Sequence, residues 1–395
     1  MNSREKFIST MNCIDNMYEI PKIELGYWAG TIRQWSKEGL PIKEAIPNNL
    51  PYAKSIFSTP VIDKIFEEEK LYMFNDINLK EFFNLDYDAA YFPIDFSALL
   101  QEQVVRKNDT TVISKDNYGA LIKNNIKLDS LPMEIDCPVK NWESWDIYKQ
   151  YYSVKAIEKR IPKNWDYIIK ILKNRDFPIK LGRWYAGFLG FPRKIMGLTN
   201  YLLTLYDNPK LIHAICDHLL DLLISLYNRI TKDIDVDYIL IWEDMAGRQG
   251  PLISPEHFKE FLMPRYKKLV NFANDLGIKN IIVDSDGYVE DLIPLFIECG
   301  VTGLYPFERA AGNDLLRVRK NFPKFQIFGG IDKRILFANS NIKRIDEELD
   351  MVKEVLKYGR YVPHIDHLVS ADCQWSYFSY YRNSLNKILD KHNRR

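Results

Sequence analysis

The chain has 395 residues, a length that suits one large α/β barrel or two ordinary domains. Hydrophobic residues make up 46% and charged residues 27%, a balance typical of a folded protein with a substantial core, which excludes general disorder. The formal net charge of +1 offers no general field for nucleic acid or an anionic membrane, so neither is an expected partner.

The five cysteines are scattered without a CxxC or CxC pair, so their spacing indicates neither a disulfide framework nor a thiolate zinc site. The N-terminal MNSREKFISTMNC carries charge early, unlike a signal peptide. No stretch approaches the roughly 18 apolar residues that a membrane span needs. We therefore expect a cytoplasmic protein.

Short apolar or β-branched runs that end in polar residues recur along the chain and alternate with segments of helical period. The eight candidate strands are residues 22–28, 88–95, 178–185, 238–244, 280–287, 302–308, 325–332 and 360–367. This alternation favours a parallel sheet covered by helices. Eight such units, without a GxGxxG fingerprint, favour an α/β fold of the (β/α)8 TIM-barrel type over a doubly wound sheet.

The helices between these strands show clear start signals. Asn208 and Pro209 begin one that runs to about Asp233, and Ser254 with Pro255 begin another that runs to about Leu276. Further helices are predicted at 288–299, 311–321, 344–358 and 374–390, with helical additions at the N-terminus.

Residues 100–140 break the rhythm, because polar and apolar residues alternate there around two turn signals, Asn108-Asp109 and Asn117-Tyr118-Gly119. The pattern predicts a β-hairpin or small meander inserted after the second barrel strand. The insertion is either part of the site or a solvated excursion. We treat residues 1–395 as a single barrel domain that contains it.

The C-terminal ends of parallel barrel strands open into one mouth, so polar residues there are candidates for chemistry. They are Asp95, Arg183, Tyr185, Glu243, Asp244, Asp284, Asp286, Glu308, Asp332, His364, Asp366 and His367. Some are expected to cap helices or to pair with neighbours. So many carboxylates in one mouth require a cation, a shared proton or a cationic substrate to balance them.

Asp284 and Asp286 lie two residues apart on one strand and so share a face, and Gly287 lets the backbone turn sharply. That spacing suits two metal ligands or an acid and base pair. The alternative is that one caps the next helix while the other faces solvent.

The last strand ends in His364-Ile365-Asp366-His367. His364 and Asp366 face one way and His367 the other, so all three line one cavity only if the strand bulges. A histidine beside a carboxylate serves as a general acid or base or as a metal ligand.

Substrate contacts are predicted beside these groups. Arg183, Arg248 and Arg334 suit a carboxylate or phosphate, or they neutralise the acidic mouth. Trp184 and Trp242 suit an apolar pocket, although strand-end aromatics often only pack.

Several segments resemble the uroporphyrinogen decarboxylase-like family: ISPEHFKEFLMPRYKKLV, the SDG after the fifth strand, GVTGLYPFERAAGND, FGGIDKRIL and GRYVPHIDH. The N-terminal GYWAGTIRQWSKEGLP and the segment MEIDCPVKNWESWDIYK resemble its unclassified bacterial members. The resemblance spans nearly the whole chain. It implies a (β/α)8 barrel and either tetrapyrrole decarboxylation or methyl exchange with a corrinoid protein.

The chain departs from both family chemistries. The arginine-rich N-terminal motif of the decarboxylases is reduced to Arg33-Gln34, and Asp95 takes the place of the aspartate that binds the pyrrole nitrogens. The His-x-Cys of the zinc methyltransferases reads Asp284 and Asp286, and Cys373 is the cysteine nearest the last strand end.

The acidic mouth favours a cation over a polycarboxylate substrate. The sequence therefore predicts a metal-assisted methyltransferase. Asp284, Asp286 and His364 or His367 would hold a divalent metal, zinc by preference, while Glu243 and Asp244 orient the substrate or move protons. The remaining assignments are catalytic roles for Asp95 and Tyr185, and substrate binding by Arg183, Trp184, Arg248, Glu308 and Asp332.

A small-molecule substrate, a corrinoid protein and a second copy of the chain are the expected partners. Two other interpretations stay open at this point. One is a cofactor-free decarboxylase of a tetrapyrrole or smaller carboxylate, and the other is a non-catalytic barrel that binds a ligand.

Overall fold

The computed structural model describes residues 1–13, 18–41, 79–125 and 132–393, and between them the backbone of residues 55–57 and 74–75. The strands are β1 Gly26–Trp28, β2 Ser55–Phe57, β3 Phe74–Asn75, β4 Ala90–Tyr91, β5 Gln103–Lys107, β6 Thr111–Lys115, β7 Leu121–Asn125, β8 Met133–Asp136, β9 Ile179–Leu181, β10 Tyr238–Trp242, β11 Ala246–Gly247, β12 Gly250–Pro251, β13 Ile281–Asp284, β14 Gly303–Phe307, β15 Gln326–Ile331 and β16 Tyr361–Ile365.

Helices lie between the strands and at both ends of the described chain. The α-helices are Ser3–Asn12, Ala29–Lys37, Leu79–Phe82, Trp142–Tyr148, Trp165–Lys173, Gly190–Met196, Leu198–Asp207, Pro209–Thr231, Pro255–His257, Met263–Asp275, Ile293–Glu298, Leu315–Asn321, Ile342–Leu356 and Trp375–Asn393. A π-helical turn at Phe258–Leu262 joins two of them, and 3-10 turns occupy Lys149–Tyr152, Val154–Arg160, Glu290–Leu292, Arg309–Ala311 and Lys333–Leu336.

Seven strands form a parallel sheet in the order β16-β15-β14-β13-β10-β9-β4, with helices between consecutive strands. The sheet curls into a TIM-like barrel, which confirms the predicted fold class. In β10, Tyr238 and Leu240 face an inner apolar cluster, whereas Ile239 and Ile241 join the outer core. This alternation is the period of two that the apolar strand segments predicted.

The inner cluster fills the barrel and is closed at one end by the first helix. Phe7 and Met11 of helix Ser3–Asn12 pack with Tyr238, Phe328 and Val362 from three strands. The Phe7 ring stacks on Tyr238 with centroids 5.2 Å apart. The predicted N-terminal addition is therefore a plug at the amino ends of the strands.

The predicted first strand differs from the other seven. Only Gly26–Trp28 is extended enough to pair, and it pairs antiparallel with β2 rather than within the seven-stranded sheet. Residues 22–25 still line the barrel, because Ile23 and Leu25 belong to the inner cluster. The Lys22 carbonyl accepts from the Asp86 amide at 2.8 Å, which ties this segment to the start of the second barrel segment.

The other side of that segment is tied to β16 by a side chain. A Glu24 carboxylate oxygen accepts the Ile365 amide at 2.7 Å, in the place where a backbone carbonyl would pair in a regular ladder. The same carboxylate accepts from Tyr381 at 3.2 Å and from Arg382 at 3.3 Å, and Arg382 also donates to the Ile23 carbonyl at 2.9 Å. Glu24 and Arg382 are fully buried. The barrel is thus closed through a buried ion pair.

The insertion is a four-stranded antiparallel meander, β5-β6-β7-β8, in agreement with the alternating pattern of residues 100–140. Its polar side binds the helix Gly190–Met196, since the Lys194 ammonium lies 2.9 Å from both Asp116 and Glu134. Its Tyr118 ring packs edge-on against Tyr185, with centroids 5.1 Å apart.

The predicted helices at 209–233 and 254–276 are found as Pro209–Thr231 and Pro255–Asp275 with the π turn between. Ser254 caps the second as expected, accepting the His257 amide at 3.2 Å. Asn208 precedes the first helix, but its side chain accepts from Trp142 rather than from the helix amides.

Helix Pro209–Thr231 corrects one expectation. It is long and apolar enough to cross a membrane, with a mean hydropathy of 1.2 in its best window, whereas we expected no such stretch among the residues that the structure describes. Its apolar face packs into the main core, through Leu211, Ile215, Leu219 and Leu223 among others. A buried core helix passes the same test of length and composition.

The barrel closure yields a stability prediction. Arg382→Met removes the cation that is buried beside Glu24, so we expect the free energy of unfolding to fall by about 3–5 kcal/mol. Arg229→Met is the control, because Arg229 pairs with Asp233 and Glu158 at the surface and should cost about 0–1 kcal/mol. Urea unfolding measures both. Equal losses in the two variants would contradict the proposed role of the pair.

Candidate active site

A cavity of about 130 Å³ lies at the carboxyl ends of the barrel strands. Its lining comes from seven of the eight predicted strand segments and from the turn after the last one. The lining residues are Leu25, Asp88, Tyr91, Lys180, Trp184, Trp242, Asp284, Asp286, Tyr305, Pro306, His367 and Leu368. Acidic, basic and aromatic side chains therefore meet in one place, as the strand-end argument predicted for the mouth.

The turn after β13 positions two carboxylates. Ser285 is buried between them and accepts the Met245 amide at 3.0 Å, while its hydroxyl donates to the Asp286 carbonyl at 3.1 Å. Gly287 has φ +86° and packs so closely on the β11–β12 hairpin that a Cβ would lie 2.4 Å from the Ala246 carbonyl oxygen. Only glycine fits there, and this turn directs Asp284 and Asp286 into the cavity.

Asp286 pairs with His367, the histidine after the last strand. His367 Nε2 lies 3.3 Å from an Asp286 carboxylate oxygen, and both side chains are partly exposed. Burial alone would raise the pKa of Asp286, but the His367 hydrogen bond and charge, with Lys333 and Arg193, lower it overall. Burial alone would lower the pKa of His367, but Asp286 raises it overall. The two groups form an ion pair below the folded pKa of His367.

Asp284 behaves differently from its neighbour. Burial raises its pKa well above the ordinary value, and the charges of Asp286 and Asp244 add to that rise, while Lys180 and His367 oppose it. The raised pKa favours the protonated form of Asp284, which can donate, beside the Asp286–His367 carboxylate–imidazole pair.

The Glu243 carboxylate is occupied by hydrogen bonds from within the protein. Its two oxygens accept the backbone amides of Phe188, Leu189 and Gly190 at 2.7–2.8 Å and the Tyr266 hydroxyl at 2.8 Å. The residue is fully buried, and burial raises its pKa while these donors lower it. Glu243 thus fixes the loop that begins helix Gly190–Met196 to the end of β10.

Asp244, next in the chain, is bound by Arg193. The guanidinium donates to the Asp244 carbonyl at 2.6 Å and to its carboxylate at 2.5 Å, and Asp244 has φ +46°. The Arg193 guanidinium also lies 5.6 Å from the Trp242 ring centroid. This carboxylate is balanced within the protein.

The last strand does not deliver His364 and Asp366 to the cavity with His367. His364 is fully buried in the barrel, and its Nδ1 donates to the Ile365 carbonyl at 2.7 Å. Burial lowers the pKa of His364 to about 4. Asp366 accepts the amides of Ala310 at 2.7 Å and Lys333 at 3.1 Å, so it braces two loops. The chain bends after Ile365, and strand alternation no longer decides which side His367 faces.

The remaining predicted residues lie around the rim or away from it. Trp184 lines the cavity, and the Arg183 guanidinium lies 5.5 Å from the Tyr91 ring centroid. Tyr185 packs on Trp242, with centroids 4.6 Å apart, rather than facing the cavity. Asp95 accepts the Ser97 amide at 2.8 Å in a local turn.

Rim charges are also paired among themselves. Glu308 accepts the Gly287 amide at 2.8 Å and lies 3.6 Å from the Lys333 ammonium. Arg334, predicted to bind substrate or neutralise the mouth, forms a two-pronged pair with Asp332. Arg248 is exposed at the tip of the β11–β12 hairpin. Lysine, arginine and histidine side chains therefore supply positive charge that balances the carboxylates, a role that the sequence assigned to a metal or a cationic substrate.

The predicted metal ligands do not form a ligand set. Asp286 and His367 contact each other, and the His364 Nε2 is buried without a partner among the described residues. Across the described ranges, no group of three or more His, Cys, Asp or Glu side chains is arranged to hold an ion. Tetrahedral zinc sites need three or four such ligands.

Sequence reasoning missed four polar lining residues, Asp88, Tyr91, Lys180 and Tyr305. Tyr305 donates to Asp88 at 3.2 Å deep in the cavity. One signal was available, because Lys180 stands between Ile179 and Leu181 within a strand that reads as buried. A lysine in such a strand is rare in cores and points to an interior polar site.

Residues 191–377 match the family described as uroporphyrinogen decarboxylase (URO-D). This part of the chain is similar to that family. The finding confirms the resemblance that the strand-end motifs suggested, and it covers β10–β16 and the turns that carry Asp284, Asp286 and His367.

One solved structure shares the overall fold of this chain. A methyltransferase from Methanosarcina mazei is 15% identical, covers 99% of this chain and 99% of its own, and superposes with a TM-score of 0.53. A protein from Listeria monocytogenes described as a vitamin-B12 independent methionine synthase is 13% identical over 57% of this chain and 68% of that one, with a TM-score of 0.32, too low to bear on the fold. No curated protein matches the sequence.

The Asp286–His367 pair makes a pH prediction. Because the pKa of His367 is raised in the folded state, its protonation stabilises the fold at pH values below its unfolded pKa of 6.5. This stabilisation is lost as the pH rises through the folded pKa. The lowered pKa of Asp286 contributes above the unfolded value of 3.8 and is lost as pH falls through the folded value. The pair should therefore stabilise most between these two unfolded values.

A double-mutant cycle tests this window. We expect the coupling between His367→Gln and Asp286→Asn, measured by urea unfolding, to be larger at about pH 5.5 than at about pH 8.5. A coupling that stays constant between these pH values would show that the two side chains do not interact as an ion pair.

The ligand geometry makes a metal prediction. Protein purified without chelator should contain well below one zinc ion per chain, and dialysis against chelator should leave its urea midpoint unchanged, because three converging ligands are missing. Elemental analysis measures the first quantity. One tightly held zinc per chain would show that the donors rearrange around an ion.

Proposed function

We propose that this URO-D-like protein is an enzyme that transfers a methyl group from a small substrate held in the mouth cavity, with Asp284 as the proton donor. The observation that carries the proposal is the partly buried Asp284 carboxyl group, which lines the cavity beside the Asp286–His367 pair and whose pKa is raised by desolvation. A protonated carboxyl group at neutral pH is suited to general acid catalysis.

The proposed reaction transfers a methyl group from a heteroatom of the substrate to one nucleophile. The bond between the methyl carbon and a heteroatom of the substrate breaks, and its electron pair stays on the heteroatom. The proton of Asp284 moves to that atom, so the leaving group departs neutral. The methyl carbon forms its new bond to a nucleophile that a partner protein carries, and His367, protonated below its raised pKa, returns a proton to Asp284.

A corrinoid held by a partner protein is the acceptor that we propose, and when bound it would supply the nucleophile. The cavity opens at the strand ends, and Trp184 lines it while keeping 47% of its surface exposed. A flat apolar group therefore has a complementary surface at the opening. The rest of the chemistry belongs to this chain: it binds the substrate, excludes water with its aromatic walls and holds the proton at Asp284.

Cavity size supports a small substrate over a tetrapyrrole. The cavity measures about 130 Å³, whereas sites that enclose drug-sized ligands measure roughly 300–1,000 Å³. Asp95, the residue expected to bind pyrrole nitrogens in the decarboxylase interpretation, is held in a local turn and does not line the cavity.

Substitution of the proton donor tests the proposal. Asp284→Asn keeps the size of the side chain and removes its acidic proton, so methyl transfer should slow by roughly 10²- to 10⁴-fold. The assay mixes the protein with free cob(I)alamin as acceptor and a panel of methylated amines, ethers and thioethers, and follows the corrinoid spectrum. Asp217→Asn, on an outer helix and paired with Arg265, is the matched control and should leave the rate unchanged.

Equal rates in the wild type and Asp284→Asn would remove Asp284 from the chemistry. Release of carbon dioxide from uroporphyrinogen would show that the protein is a decarboxylase rather than a methyltransferase. Ligand binding without turnover of any substrate would favour the non-catalytic barrel.

A further inference from the structure

Lys180 is a buried lysine at the centre of the site. It lies in β9, retains 2% of its surface and lines the cavity. Its neighbours Ile179 and Leu181 face the outer core, so the alternation of the strand turns Lys180 into the barrel. Neither the acid–base pair nor the proton donor requires it.

Tyrosine rings surround the ammonium group. Its Nζ lies 4.1 Å from the ring centroid of Tyr91, 5.3 Å from that of Tyr305 and 5.9 Å from that of Tyr238. Aromatic faces attract a cation, but they accept none of its hydrogen bonds in the way an oxygen does. Burial lowers the pKa of Lys180 while the charges of Asp88 and Asp284 oppose that fall, and the three N–H donors of the charged form still need acceptors.

Those acceptors are not found among the described residues. No carboxylate oxygen of these residues lies within 4.0 Å of Nζ, and Lys180 makes no hydrogen bond to them. Other buried lysines in the described chain do have partners: Lys22 pairs with Asp390 at 2.5 Å, and Lys194 pairs with Asp116 and Glu134. Buried ammonium groups are almost always paired, so Lys180 is an exception that a ligand would explain.

The nearest acidic groups do not replace a ligand. Burial raises the pKa of both Asp88 and Asp284, and Lys180 opposes that rise without touching either group. Asp88 already accepts the Tyr305 hydroxyl at 3.2 Å. A neutral carboxyl group close to a cation can donate a second hydrogen bond to the same anion.

We propose that Lys180 binds an oxyanionic group of the ligand, so that the cavity takes a small acid whose anionic end lies against Lys180 between the rings of Tyr91 and Tyr305. Carboxylate and sulfonate share this chemistry. The choice of a methylated acid as substrate rests on the function proposed above, with the methyl group directed towards Asp284 and the mouth. The anion site itself does not depend on that function.

Binding of acetate and of acetamide, which match in size and differ in charge, tests the site without any reaction. We expect ¹³C line broadening of labelled acetate to show at least about 10-fold tighter binding than acetamide to the wild type, as a charge-assisted hydrogen bond allows. Lys180→Met should lose this preference, and Lys180→Arg should keep part of it. Methanesulfonate in place of acetate distinguishes sulfonate from carboxylate binding.

Stability supplies a second measurement on the same variants. Lys180→Met removes a buried, unpaired charge, so we expect its urea midpoint to rise in the absence of ligand. Lys22→Met removes a lysine that is similarly buried but paired with Asp390, and its midpoint should fall. A cooperative urea transition in each variant also shows that the two Met variants are folded.

Two results would overturn the proposal. One is equal binding of acetate and acetamide to the wild type, and the other is unchanged acetate binding in Lys180→Met. If acetate binds through Lys180 while no methylated acid is turned over, the proposed anion site is supported and the proposed methyl transfer is contradicted. If methylated amines react while acetate does not bind, methyl transfer stands and the anion site fails.

Discussion

The whole site depends on closure of the barrel, and closure depends on Glu24. Seven segments join through backbone ladders, whereas the eighth joins β16 through the Glu24 carboxylate, which accepts the Ile365 amide and is held by Arg382. The backbone of Gly26 and Trp28 also bonds to Val369, in the turn after β16. These contacts bring Leu25 and His367, from opposite ends of the chain, to one cavity.

Positively charged side chains balance the carboxylates of the mouth, which the sequence alone suggested would need a metal ion. The carboxylates that suggested a metal are matched by Arg193, Lys333, Arg334 and His367. Two neighbouring aspartates then differ, because burial raises the pKa of Asp284 while the pairing with His367 lowers that of Asp286. Two identical side chains two residues apart can thus take opposite roles in proton transfer.

Sequence reasoning predicted the strands and the meeting of Asp286 with His367, since apolar runs mark strands and parallel strands share one end. It missed the roles of Glu243 and Lys180 for different physical reasons. The partners of Glu243 are backbone amides, which every residue carries, so no residue type marks them. The inward orientation of Lys180 depends on the phase of a three-residue strand, too short for a period to be read.

The insertion is continuous with the wall of the cavity. Lys194 fixes the meander to a helix that Glu243 holds against β10. The rings of Tyr118, Tyr185 and Trp242, packed edge to face, extend from the meander to the cavity lining. Evolution can therefore retune ligand selectivity through substitutions in an excursion that never meets the ligand, while the reacting groups stay unchanged. Divergence among related barrels need not begin in their active centres.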